Sequence, residues 1–186
     1  MHEYQRPDLV SRMSRLRGAT RDAHDRIERA LPLLDPGLTH AAYRRIVESF
    51  HGYYAGLAQT CDEPVLEQKL PLLRADLLAL GGLEATVPRC HDLPELASAS
   101  QVLGMLYVVE GATLGGQVIR RHLASVLDLD QTNGAAFFVG YGAETGAIWK
   151  AFGRRVETAE AFDPHACIGA AIATFETLAR WIVETS

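Results

Sequence analysis

Apolar residues recur at helical spacing along most of the chain, and no stretch shows the strict alternation of a half-buried strand. Residues 9–31 predict a first helix, with Asp8 as its N-cap and Pro32 as its stop. Thr39 is placed to cap a second helix reaching about Thr60. Pro64 and Pro71 predict a shorter, interrupted helical stretch ending at Gly81-Gly82. Asp92 to Pro94 introduces a long helical segment that runs to about Leu127. Residues 128–142 read as a loop, with Asn133-Gly134 and Gly140-Tyr141-Gly142 as turn signals. A further helix is expected over 144–160. Asp163-Pro164, an N-cap followed by proline, opens a last helix to Val183. Nothing resembling a linker or repeat divides the chain, so the expectation is one all-α domain behind a flexible segment of residues 1–8.

Composition agrees. With 186 residues, 48% of them hydrophobic, the chain can bury a core without disulfides or metal staples. A net charge of -5 argues against general binding to nucleic acid or anionic membrane. The apolar run at 102–119 is broken by Glu110 and Gln117 and reads as too short and polar to span a bilayer. Cys61, Cys90 and Cys167 form no CxxC motif, and the N-terminus carries no apolar leader, so a soluble cytoplasmic protein is expected. Arginines 6, 12, 15, 17, 21, 26 and 29 crowd into the first thirty residues, while the chain holds only two lysines. Most of these arginines suit a solvated helix face; together they could also form a positive surface for anions or an acidic protein.

The first helix carries the sharpest constellation. At about 100° per residue, Arg17, Thr20, His24 and Glu28 fall in one narrow stripe, flanked by Leu16, Ile27 and Leu31. The stripe predicts a histidine aimed at an apolar face, with a carboxylate one turn later and a cation two turns before. Imidazole ligates iron, a carboxylate can orient the ring through its other nitrogen, and arginine suits an anionic group of the ligand. A satisfied, half-buried His–Glu pair accounts for the same spacing.

The segment Leu103-Gly-Met-Leu-Tyr-Val-Val-Glu-Gly-Ala-Thr-Leu-Gly-Gly-Gln-Val-Ile119 poses a second question. Gly111, Gly115 and Gly116 together cost a helix about 3 kcal/mol relative to alanine. Such positions serve either close helix packing or the approach of backbone to something flat.

Taken together, Leu16-Arg-Gly-Ala-Thr-Arg-Asp-Ala-His-Asp-Arg-Ile-Glu28 and the glycine segment from Gly104 to Ile119 resemble the biliverdin-producing heme oxygenases, especially the bacterial branch. Phe137-Phe-Val-Gly-Tyr-Gly142, Trp149 and Phe152 are similar to that branch as well. The resemblance implies an all-helical fold with heme held between the first helix and a glycine-kinked distal helix. It implies His24 as the iron ligand, Glu28 as its support, and Thr20 beside it. Arg17, Tyr107 and, on a looser alignment, Arg154 would meet the heme propionates. Gly111, Gly115 and Gly116 fall on the catalytic distal glycines. Ala112 departs from the mammalian pattern, which has an aspartate there, and leaves the proton supply unassigned. The implied chemistry is oxidative cleavage of heme to biliverdin, with release of carbon monoxide and ferrous iron. It uses oxygen and an external electron donor such as a ferredoxin or reductase.

Three other functional readings stay open on the residues alone, as does a purely structural helical interaction domain, which would leave the glycine helix unaccounted for. A non-catalytic heme carrier would share His24 and the cations. A thiamin-processing hydrolase would need an activated thiol at Cys61 or Cys167. A di-iron bundle would use Glu48-Ser-Phe-His51, although a single Glu-x-x-His is half of what it needs.

Overall fold

The structure is a computed structural model describing residues 10–185. The expected N-cap Asp8 and the segment 1–8 lie outside the described residues. Among the described residues seven α-helices follow in order: α1 (Arg12–Ala30), α2 (His40–Thr60), α3 (Pro64–Ala79), α4 (Ala99–Leu127), α5 (Ala136–Val139), α6 (Thr145–Thr158) and α7 (Pro164–Thr185). Short 3-10 turns lie at Glu84–Thr86 and Gly142–Glu144, and no strand occurs among the described residues.

The caps explain most boundaries. The Ser11 hydroxyl accepts from the Ser14 amide and starts α1, three residues after the expected onset. Thr39 caps α2 through the Ala42 amide, and Asp163 caps α7 through the amides of His165 and Ala166, both as the sequence predicts. Further along, residues 136–139 of the expected loop form α5, and two other expectations change. The third helix runs unbroken through Pro71, because Leu66, Leu73 and Leu77 on its inner face are buried and offset the lost hydrogen bond. The long helix begins at Ala99 with Ser98 as its cap, leaving 92–98 outside it.

The largest contact in the molecule is α4 against α7. By length and composition both helices are apolar enough to cross a bilayer, contrary to the reading of 102–119, but here they pack on each other in the core. Gly104 makes that approach possible: a Cβ there would collide with the Cys167 carbonyl. Helix α1 lays Leu16, Thr20, Ala23 and Ile27 onto α7 and also touches α6. Helices α1 and α4 thus share α7 as a floor and hardly meet each other.

Candidate functional site

His24 stands on the shoulder of the buried stripe. The sequence predicts an inward ring; the structure leaves the His24 side chain 52% exposed, with one edge against Phe175 of α7 at 5.6 Å between centroids. The reason is geometric: the residues that meet α7 are Leu16, Thr20, Ala23 and Ile27, and residue 24 lies about 100° beyond Ala23. His24 Nδ1 lies 3.7 Å from Glu28 Oε2, beyond hydrogen-bond distance. That orientation directs Nδ1 to the carboxylate and leaves Nε2 for a ligand. Asp25, which periodicity did not single out, brings its carboxylate to the same place: ligand atoms of His24, Asp25 and Glu28 lie within 4.8 Å of one another. Thr20 is buried, and its hydroxyl donates to the Leu16 carbonyl, so it shapes the stripe rather than offering a free donor. Arg17 is exposed.

The glycines of α4 divide by what they face. The helix stays α-helical through all of them. At Gly116 a Cβ would stand 2.6 Å from the Phe138 carbonyl oxygen, so this glycine serves close packing on α5. Among the described residues nothing lies within 4 Å of a Cβ placed at Gly115, and at Gly111 the nearest atoms belong to the Trp149 ring at 3.9 Å. Leu114 and Val118 beside Gly115 are exposed, at 43% and 55%. A stripe of bare backbone edged by exposed apolar side chains is the kind of surface a flat, apolar ligand can cover. Tyr107, one turn before Gly111, packs on Trp149 at 5.8 Å, so Tyr107, Gly111 and Trp149 meet at one end of this stripe. Arg154 is exposed on α6.

Behind α4 lies a polar group absent from the sequence reading. Lys69 of α3 is buried and bonds the Thr113 hydroxyl. Burial brings its ammonium down to about 8, with Glu110 pulling the other way. Burial also raises Glu110, and Tyr141 donates to it at 3.4 Å. Glu110 and Tyr141 border a cleft of about 310 Å³ that also touches Leu106, Phe152 and Arg155. Asp76, two turns after Lys69 on α3, is buried and accepts from the amides of Ala136 and Phe137 at 2.7 and 2.8 Å. Burial lifts its carboxyl to about 6 in spite of those two donors.

The rival chemistries fare poorly. Burial raises all three thiols, Cys167 to about 11, the opposite of the lowering that activates a thiol nucleophile. Glu48 pairs with Arg44 and His51 with Glu84, so the single Glu-x-x-His does not converge.

Known proteins agree with the helical architecture. A protein named heme oxygenase from Xanthomonas campestris pv. campestris (strain 8004) is 33% identical over 91 residues, covering 44% of this chain and 52% of that relative. The match thus spans about half the length of the relative. The heme oxygenase of Neisseria meningitidis, solved with NO and CO bound, superposes with a TM-score of 0.75 at 20% identity, covering 95% of this chain and 92% of that one. That of Leptospira interrogans gives 0.73 at 16% identity, covering 94% and 99%. Heme oxygenase-1 of the cyanobacterium Synechocystis, solved with heme, gives 0.67 at 17% identity, covering 94% and 92%. The heme oxygenase family itself matches residues 11–184, and the chain belongs to that family.

Proposed function

We propose that this chain opens heme oxidatively to biliverdin, releasing carbon monoxide and ferrous iron, with oxygen and electrons from an external donor such as a ferredoxin or reductase. The observation that carries the reading is the setting of His24: a half-exposed imidazole with Nδ1 on Glu28 and Nε2 directed elsewhere, on a helix that the family match includes. Heme, when bound, would be both the substrate and the centre that reacts with oxygen. Neutral His24 would ligate its iron through Nε2, and Glu28 would hold the ring's tautomer from the other side. Thr20 would back the ligand helix, and Arg17, Tyr107 and Arg154 would meet propionates. The side-chain-free stretch at Gly111 and Gly115 would lie along the opposite face, its backbone close enough to orient what reacts there and to exclude water. Gly116 would act indirectly, by seating the helix on α5. With Ala112 at the position of the mammalian acid, protons would come through backbone groups and ordered water.

The test begins with hemin alone. A one-to-one complex with a histidine-ligated spectrum is expected, and His24→Ala should lose that ligation. Adding ascorbate or a reductase should then replace the heme band with that of biliverdin. A heme band that persists would mark a carrier, and absence of binding would end the heme reading altogether.

A further inference from the structure

One of the chain's two lysines is in the core. Lys69 is 2% exposed; its ammonium bonds the Thr113 hydroxyl and lies over the rings of Phe137 and Tyr141, at 5.5 and 5.2 Å. Glu110 is near enough to act on its charge, yet among the described residues no carboxylate reaches ion-pair distance. A buried ammonium with so few partners is costly, and a methionine would fill the same space without that cost. Packing therefore does not account for the cation.

What Lys69 holds does account for it. Thr113 lies about 200° around α4 from Gly111, on the back of the helix. Other buried helical threonines, Thr20, Thr174 and Thr177, turn their hydroxyls onto carbonyls of their own helix. Thr113 is instead gripped from outside: Lys69 takes its hydroxyl, and Gly140, at φ +55°, presses against its methyl so closely that a Cβ there would collide. Three residues on, Gly116 rests on the Phe138 carbonyl. The back of residues 113–116 is fastened at these points, while the front at Gly111 and Gly115 carries no side chain that could fix it.

We propose that Lys69 is a positioning residue for the glycine face: through Thr113 it sets where the backbone of residues 111–115 stands, and so which edge of a bound heme is opened. The assignment rests on the heme reading above. It is not a proton path, because Thr113 points away from the bare stripe.

The variants are Lys69→Met, Thr113→Val and the double change. Four quantities are measured: melting of the hemin-free protein, amide hydrogen exchange over residues 106–120, hemin affinity, and the ratio of biliverdin isomers. Lys69→Met should melt no lower than the parent and bind hemin within about threefold of it. Exchange at 111–115 should rise about tenfold, with α7 unchanged, and the product should become a mixture where the parent yields one isomer. Thr113→Val should shift the isomers the same way, and the double variant should do no more than either alone. A lower melting point with unchanged isomers would make Lys69 a structural residue and overturn the assignment. A parent that binds no hemin would overturn the heme reading and this assignment together. A parent that binds it, with exchange and isomers unchanged in Lys69→Met, would overturn this assignment alone.

Discussion

Four glycines of one helix divide, residue by residue, into packed and open positions. Gly115 meets open space and Gly111 only an aromatic edge, whereas Gly104 and Gly116 press on backbone carbonyls. Replacing Gly115 by alanine should therefore stabilise the hemin-free protein by about 1 kcal/mol, the ordinary helix-propensity gain. Alanine at 104 or 116 must push a carbonyl aside and should cost roughly 1–3 kcal/mol. Thermal melting of the four single variants tests the division; a loss at Gly115 like that at Gly104 would place a hidden neighbour there. A larger residue extends the argument to chemistry. Gly115→Leu should keep the fold and hemin binding but stop ring opening, and normal biliverdin production by it would end the steric role of this glycine. His24→Ala belongs to the same scale: with an exposed side chain, it should change hemin-free stability by no more than about 0.5 kcal/mol, so loss of heme ligation cannot be blamed on unfolding.

Among the elements, α5 depends most on its neighbours. Four residues cannot sustain a helix alone. Its first amides, those of Ala136 and Phe137, are instead satisfied by the two carboxylate oxygens of Asp76 in α3. Asp76→Asn leaves one of them facing an amide NH₂ and should cost about 1–3 kcal/mol in chemical denaturation. An unchanged midpoint would mean that α5 stands without this cap. The same cap explains what could and could not be read from the chain. Thr39 and Asp163 announce their helices because the amides they cap lie two or three residues away. Asp76 acts sixty residues from α5, so 128–142 reads as loop. The start of α4 misleads for another reason: Asp92-Pro94 is a valid entry signal, but the chain before it is held across α2. There the carbonyls of Pro88 and Cys90 lie against Gly52 and Gly56, and the Cys90 amide donates to Gly52. Periodicity puts His24 in the stripe aimed at an apolar face, because it does not say where α7 stops covering α1. Lys69, in the run Gln68-Lys-Leu-Pro71, has no local mark that it points inward.

At the scale of the whole molecule, charge governs two behaviours. The chain is acidic overall, yet α1 presents exposed Arg15, Arg17, Arg21 and Arg29. Arg12 and Arg26, also expected on that surface, are engaged: Arg12 by the carbonyls of Val156 and Ala159, Arg26 by Glu176. If an acidic donor docks here, Arg15→Glu with Arg21→Glu should slow donor-driven turnover and flatten its salt dependence, while ascorbate-driven turnover is unchanged. Equal slowing by both reductants would reject the surface. The second behaviour is the response to alkali. Lys69 titrates near 8 when folded against an ordinary 10.5, so between those values the unfolded chain binds more protons than the native one. Stability from this group must then rise with pH across that window. The penalty of holding the charged ammonium, about 3 kcal/mol from the shift, is present in full below pH 8 and gone above 10.5. Other buried groups act in the opposite sense: Cys167 and the tyrosines 43, 53, 54 and 141 are raised by burial, so their loss of protons at high pH destabilises the fold. A raw pH profile would mix the two, but the difference between the parent and Lys69→Met removes the contributions of the tyrosines and Cys167 and leaves the lysine with Glu110, the carboxylate it acts on. Below pH 8 the methionine variant should be the more stable of the pair, and its advantage should shrink steadily toward pH 10.5. A difference that stays flat from pH 7 to 10.5 would mean that the ammonium is not buried as described, and Thr113 would then have no cation to hold it.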